Sequence, residues 1–182
     1  DLKRLAAGEE VSVPRFDFET RTSIPHDRTL QLGKDEVIMI EGIHSFNPVI
    51  MGDLAHRATS IYLSVASALV PEKGARLEPY MLRFLRRAMR DSLFRSSPVE
   101  ATLRQWNSVR RGERLYISPY RGQADIAIDT FLPYEVNILM EHLTPVLREC
   151  RDALKDAGLA PVSDILGTIS PIAYEGRIPE DS

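Results

Sequence analysis

A single cysteine, Cys150, among 182 residues excludes an internal disulfide framework and a cysteine-based zinc site. It suits a reducing, cytoplasmic compartment. Long apolar runs are missing too. A membrane-spanning helix needs about 20 such residues, whereas the longest run, Ile61 to Val70, is short and broken by serines. No secretory signal pattern is visible. Neither sign of charge dominates: 23 Lys and Arg against 26 Asp and Glu leave a net charge of −3. That argues against a dedicated nucleic-acid binder and leaves room only for a local basic patch. There is no internal repeat and no low-complexity segment. Glu141-His142 lacks the second histidine of an H-E-x-x-H helix, and no G-x-S-x-G elbow occurs. His26, His44, His56 and His142 have no metal-ligand spacing and read as surface or packing residues, with His44 set apart only by its nearness to Glu41-Gly42.

What is present is an ordinary globular composition, 43% hydrophobic and 27% charged, in a length that suits one domain spanning residues 1–182. The chain opens at Asp1 on a charged helical pattern rather than at a methionine, as a fragment would. Asp1 to Ala7 reads as a helix with Leu2 and Leu5 on one face and Gly8 as its stop. Val11 to Phe18 alternates and suits an edge strand that tolerates Pro14. A polar loop through Arg21, Pro25 and Asp27 is expected next. Val37-Ile-Met-Ile40, Ile61 to Val65 and Ala124 to Ile128 read as strands buried on both faces, as in a parallel sheet. Helical patterns cover Pro79 to Phe94, Pro98 to Trp106, and Tyr134 to Ala157 with a break near Pro145. Strands alternating with helices imply an α/β fold, a parallel sheet flanked by helices.

Two features could carry chemistry. In Leu82 to Arg95, a turn of about 100° per residue puts Arg83, Arg87 and Arg90 on one helical face with Arg86 beside them, and Leu82, Leu85, Met89 and Leu93 on another. Crowded guanidiniums repel one another unless anions sit among them, and forked arginine donors match phosphate oxygens. A solvated basic face with local salt bridges is the alternative. Glu41-Gly42 follows Val37–Ile40, so a carboxylate would stand at the carboxyl end of a buried strand, where open α/β sheets bind ligands. Glu41 there either coordinates Mg²⁺ or is a plain loop or capping acid.

The ordered series Glu41-Gly42-Ile43, Arg83-x-x-Arg-Arg-x-x-Arg-Asp91, Arg95, Val109-Arg-Arg-Gly-Glu113, Tyr116-Ile-x-Pro-Tyr120 and Ala124-Asp125-Ile126 resembles the uridine kinase and phosphoribulokinase group of P-loop kinases. It is most similar to a bacterial uridine-kinase-like branch, often fused behind a threonyl-tRNA-synthetase-like N-terminal region. The likeness runs from about Leu2 to about Asp129.

The resemblance implies a P-loop NTPase-like kinase domain, with lid helices over about 79–118 and ATP and Mg²⁺ as cofactors. The partners it implies are a nucleoside or related small-molecule acceptor and an N-terminal region of the same protein, with no nucleic acid and no membrane. It is compatible with a homo-oligomer. Glu41 matches the magnesium-linked acid, and Arg90 and Arg95 match the lid arginines that hold the transferring phosphates. Arg87 matches an arginine that contacts the nucleoside, Gln105 a glutamine that contacts the ribose, and Phe16 and Phe18 the aromatics that enclose the base.

The chain departs from the group's pattern in several places. Arg21 stands where a base-reading histidine is found, Ser96 where a glycine usually follows the lid arginine, and Glu78-Pro79-Tyr80 lacks the usual aspartate. A G-x-x-x-x-G-K-[ST] loop is absent from the 182 residues: Gly33-Lys34 is followed by Asp35 and has Arg28 in place of the first glycine. In the group that loop and the catalytic-base aspartate lie upstream of the position of Asp1, so the chain corresponds to the domain's C-terminal portion and is expected to be inactive alone. A non-catalytic phosphate- or protein-binding module and a sugar-phosphate kinase of phosphoribulokinase type are the alternatives.

Overall fold

The computed structural model describes residues 1–17, 20 and 22–170. The chain divides into two units, Asp1–Ser60 and Ile61–Ser182.

In the first unit, helix α1 (Leu2–Ala6) buries Leu5. It stops at Gly8, whose φ of +78° is open to a residue without a Cβ and whose N–H donates to Leu5 O at 2.9 Å. Strand β1 (Val11–Asp17) pairs antiparallel with β2 (Thr22–Leu30) from Val11↔Leu30 to Asp17↔Thr22. Where a polar loop was expected through Pro25 and Asp27, the chain therefore forms a strand, and Arg21 lies outside the described residues. The register breaks between Val13 and Arg15, where Pro14 stands and cannot donate to the ladder. Across from it His26 takes a φ of +56° and its Nδ1 lies 3.0 Å from Ser12 Oγ. Helix α2 (Pro48–Met51) is capped by Asn47 Oδ1, which accepts from Val49 N at 2.9 Å, and runs into a 3₁₀ turn over Gly52–Arg57.

The strand expected at Val37–Ile40 does not form, and Val37 is 92% exposed. An apolar run becomes a buried strand only where neighbouring strands complete its ladder. The strands of the first unit, β1 and β2, pair with each other.

The second unit carries β3 (Ile61–Ser64) and β4 (Ile126–Asp129), which pair in parallel from Ile61↔Ile126 to Ser64↔Asp129. Parallel pairing and strand placement agree with the sequence reading; burial does not. Leu63 is 64% exposed and all four β4 residues are exposed. Mixed α/β structure with small sheets is thus present, and a helix-covered parallel sheet only in part.

The core of this unit is helical. Helix α3 (Pro79–Phe94) starts with proline at its first turn, where no N–H is needed. It buries Met81, Leu82, Phe84, Leu85 and Ala88. Leu93, expected in the apolar stripe, is exposed because the stripe turns away from it at the buried Asp91. Helix α4 (Val99–Tyr116) runs ten residues beyond the expected end at Trp106, and its inward face carries Val99, Leu103 and Trp106. Trp106 meets Phe84 edge-to-face, centroids 5.3 Å apart. Helix α5 (Glu135–Glu149) continues through the exposed Pro145, and the break falls instead at Cys150, before α6 (Arg151–Asp156) and α7 (Ala160–Ile165). Leu139, Leu143, Leu147, Leu154 and Ile165 close the core, each worth about 1.5–3 kcal/mol on burial.

Candidate functional site

The arginines of α3 separate by helical position into two groups. Arg83 and Arg86 are taken up by the protein itself. Arg83 Nη1 pairs with Glu113 Oε1 on α4, and Arg110 reaches the other oxygen of that carboxylate at 3.3 Å. Arg86 grips Glu135 with two nitrogens, at 2.5 and 2.9 Å, and donates to Thr130 Oγ1 at 3.0 Å and to Thr130 O. These contacts tie α3 to α4 and to the start of α5, so for Arg83 and Arg86 the local salt-bridge reading holds.

Arg87, Arg90 and Arg95 form the second group, gathered around Asp91, which is 4% exposed. Arg87 Nε lies 3.1 Å from Oδ2, Arg90 Nε 3.8 Å from Oδ1 and Arg95 Nη1 3.1 Å from Oδ1. Arg87 Nε is buried and makes no directed hydrogen bond, so that contact is an ion pair only. Thr102 Oγ1 of α4 donates to Oδ2 at 3.3 Å. Three guanidiniums thus share one carboxylate, and positive charge is in excess. Burial, then the charge of Arg95, pushes the Arg90 guanidinium below its usual value, while Asp91 pulls the other way. It remains a cation at neutral pH.

Backbone geometry brings Arg95 into the group. Arg95 N and Ser97 N both donate to Asp91 O, at 3.2 and 3.0 Å, and Ser96 adopts φ +48°. This is the left-handed turn that commonly ends helices and that glycine adopts without strain. Ser96 stands where the resemblance expects glycine, and it holds the glycine conformation. Sequence reasoning missed the roles of Asp91 and Thr102. The available signal was spacing, since Asp91 lies four residues from both Arg87 and Arg95.

At the carboxyl end of β4, Asp129 accepts from Ala66 N at 2.9 Å, Ser67 Oγ at 2.5 Å and Phe131 N at 3.0 Å. The Ala66 and Ser67 bonds chiefly hold its carboxyl at a pKa of about 2. Those donors bind the turn after β3 to the end of β4, which is a structural task.

The remaining candidates are placed as follows. Gln105 is exposed on α4, three residues beyond Thr102 and on the same side by helical spacing. Phe16 is half exposed on β1. Phe18 and Arg21 lie outside the described residues. Glu41 is exposed and follows a segment that is not a strand, so the expected strand-end position is not observed. Gly42 after it has φ +154° and starts a turn in which Ser45 N and Oγ donate to Gly42 O at 3.1 and 2.8 Å. Phe16 and Glu41 belong to the first unit; Arg87, Arg90, Arg95 and Gln105 belong to the second. Among the described residues no three His, Cys, Asp or Glu side chains group to hold a metal ion. No described helix is long and apolar enough to cross a membrane.

No family model matches the chain. It is 29% identical over 129 residues to uridine kinases of Staphylococcus aureus, among them those of strains JH9, Newman and JH1. The match covers 70% of this chain and 54% of each relative, so the chain spans about half the length of the curated relatives it matches.

Proposed function

We propose that this chain supplies the lid arginines and part of the acceptor site of an ATP- and magnesium-dependent nucleoside kinase of uridine-kinase type. The observation that carries the reading is the cluster of Arg87, Arg90 and Arg95 about one buried carboxylate, in a chain similar to uridine kinases. Both units are read as parts of one kinase domain. ATP, when bound, supplies the phosphoryl group. Transfer of that group depends mainly on positioning and on neutralising charge spread over its oxygens. Arg90 and Arg95, exposed and in cationic excess, are suited to that neutralisation, and Arg87 to holding the acceptor beside them. Glu41 is a single exposed carboxylate, so it fits magnesium only where water and nucleotide phosphates complete the ion's shell. The reading requires a phosphate-cradling loop and a catalytic base from sequence outside these 182 residues.

The resemblance assigns Phe16 and Phe18 to a base and Gln105 to a ribose, and it puts Arg21, a side chain with only donors, where related enzymes place a histidine. Donors suit the carbonyls of uracil better than the amino group of cytosine. A mismatch in a closed pocket costs about 1–3 kcal/mol. One second reading is a phosphate-binding module without catalysis, favoured by the arginine cluster standing within a single unit. The test is ADP release by the natural gene product containing this sequence, measured with uridine, cytidine, purine nucleosides and a pentose phosphate. Turnover with uridine above cytidine is expected. Turnover with the pentose phosphate alone makes it a sugar-phosphate kinase, and none with any acceptor leaves the binding module.

A further inference from the structure

We propose that Asp91 is a positioning residue for the phosphate clamp, an internal anion that arranges Arg87, Arg90 and Arg95 before a phosphate arrives. The inference rests on the clamp reading above and adds a residue to which neither the resemblance nor the similarity to uridine kinases gives a role.

A carboxylate 4% exposed is costly to bury unless it is paired and hydrogen-bonded. Asp91 meets that condition with three guanidiniums and the Thr102 hydroxyl, so both oxygens are occupied. The arginines give up little in return. Arg87 and Arg90 face Asp91 through Nε and Arg95 through one terminal nitrogen, and a guanidinium carries five donors. The remaining donors stay available for phosphate oxygens.

Without Asp91 these three cations, set within nine residues of one helix and its cap, would repel one another and sample many rotamers. Fixing long side chains on binding costs conformational entropy, and Asp91 has met much of that cost in advance. The same residue accepts Arg95 N and Ser97 N through its carbonyl, so side chain and backbone together bring Arg95 back toward the helix. Thr102 anchors the arrangement to α4.

Charge alone and positioning predict opposite signs for one substitution. Asp91→Asn preserves size and one acceptor oxygen but removes a negative charge beside the anion. If Asp91 were only a counter-charge, pyrophosphate would bind tighter to the variant. If it positions the clamp, binding weakens in spite of the added positive charge. Calorimetric titration of the full chain with pyrophosphate, and with sulfate as reference, at constant ionic strength separates them. About tenfold weaker pyrophosphate binding and a smaller preference over sulfate are expected for Asp91→Asn. Equal or tighter binding overturns the proposal. If Asp91→Asn does not fold, Thr102→Val, which removes only the hydroxyl on Oδ2, carries the test: weaker binding supports positioning and unchanged binding overturns it. Arg90→Ala, run in parallel, addresses the clamp itself. Should it bind pyrophosphate like the parent, the clamp reading fails, and the positioning proposal with it.

Discussion

Arg86→Ala is expected to unfold the second unit more easily while Arg90→Ala, one helical turn away, leaves stability nearly unchanged. Arg86 holds Glu135 with two bonds of 2.5 and 2.9 Å and Thr130 with two more. The Glu135 side chain is 10% exposed and would retain only the Leu132 N–H at 3.2 Å among its described partners. Removing one member of a buried ion pair costs about 3–5 kcal/mol. The Arg86 side chain is about a third exposed, so water partly replaces it and the lower end, about 3 kcal/mol, applies. With a urea m-value of about 2 kcal/mol/M for a domain of this size, the midpoint should fall by about 1.5 M. Arg90 is over half exposed and its ion pair with Asp91 is long, at 3.8 Å, so Arg90→Ala should stay within about 0.5 kcal/mol. Replacing both partners, Arg86→Met with Glu135→Leu, should recover most of the loss because no buried charge is left alone. Urea melts followed by circular dichroism decide it. An Arg86→Ala midpoint equal to that of the parent would refute the assignment of Arg86 to the fold.

Three further outcomes follow from the same geometry. Asp129 has a folded pKa of about 2, below the ordinary aspartate value near 3.9. Its contribution is therefore complete above about pH 4 and is lost as pH falls through 2, and Asp129→Asn should flatten melting temperature against pH in that window. Ser96→Gly should raise stability by about 0.5–1 kcal/mol, since relief of the left-handed φ exceeds the entropy glycine adds to the unfolded chain; a lower melting temperature would contradict this. The 182-residue chain by itself should release no ADP above background, as it holds no G-x-x-x-x-G-K-[ST] cradle, and turnover near 1 s⁻¹ would sink the view that such a cradle is needed.

Local order was readable in the sequence where the signal was itself local. The 3.6-residue spacing of Leu82, Leu85 and Met89 marked α3, and all three pack into or against the core. The basic run Arg110 to Arg114 hid the continuation of α4, because beyond Trp106 the helix has no fully buried residue and only Val109 packs partly against the core. Strand β2 escaped notice because six of its nine residues are polar, it holds Pro25 and it buries neither face. Val37–Ile40 misled for the opposite reason, since hydrophobicity can favour a strand but cannot supply its ladder partners. The arginines were visible as a cluster. Their division was not, because it depends on Glu113, Glu135 and Asp91, and the first two lie 30 and 49 residues from their partners.

The central claim is that Arg90 acts on transferring phosphate rather than on the fold. The most direct measurement compares kcat/KM for uridine in the natural gene product and its Arg90→Ala variant, at equal melting temperature. Loss of an arginine that stabilises phosphoryl transfer costs about 10³-fold or more, and a partly redundant pair with Arg95 should still lose about 100-fold. A variant that phosphorylates uridine as fast as its parent would contradict the account.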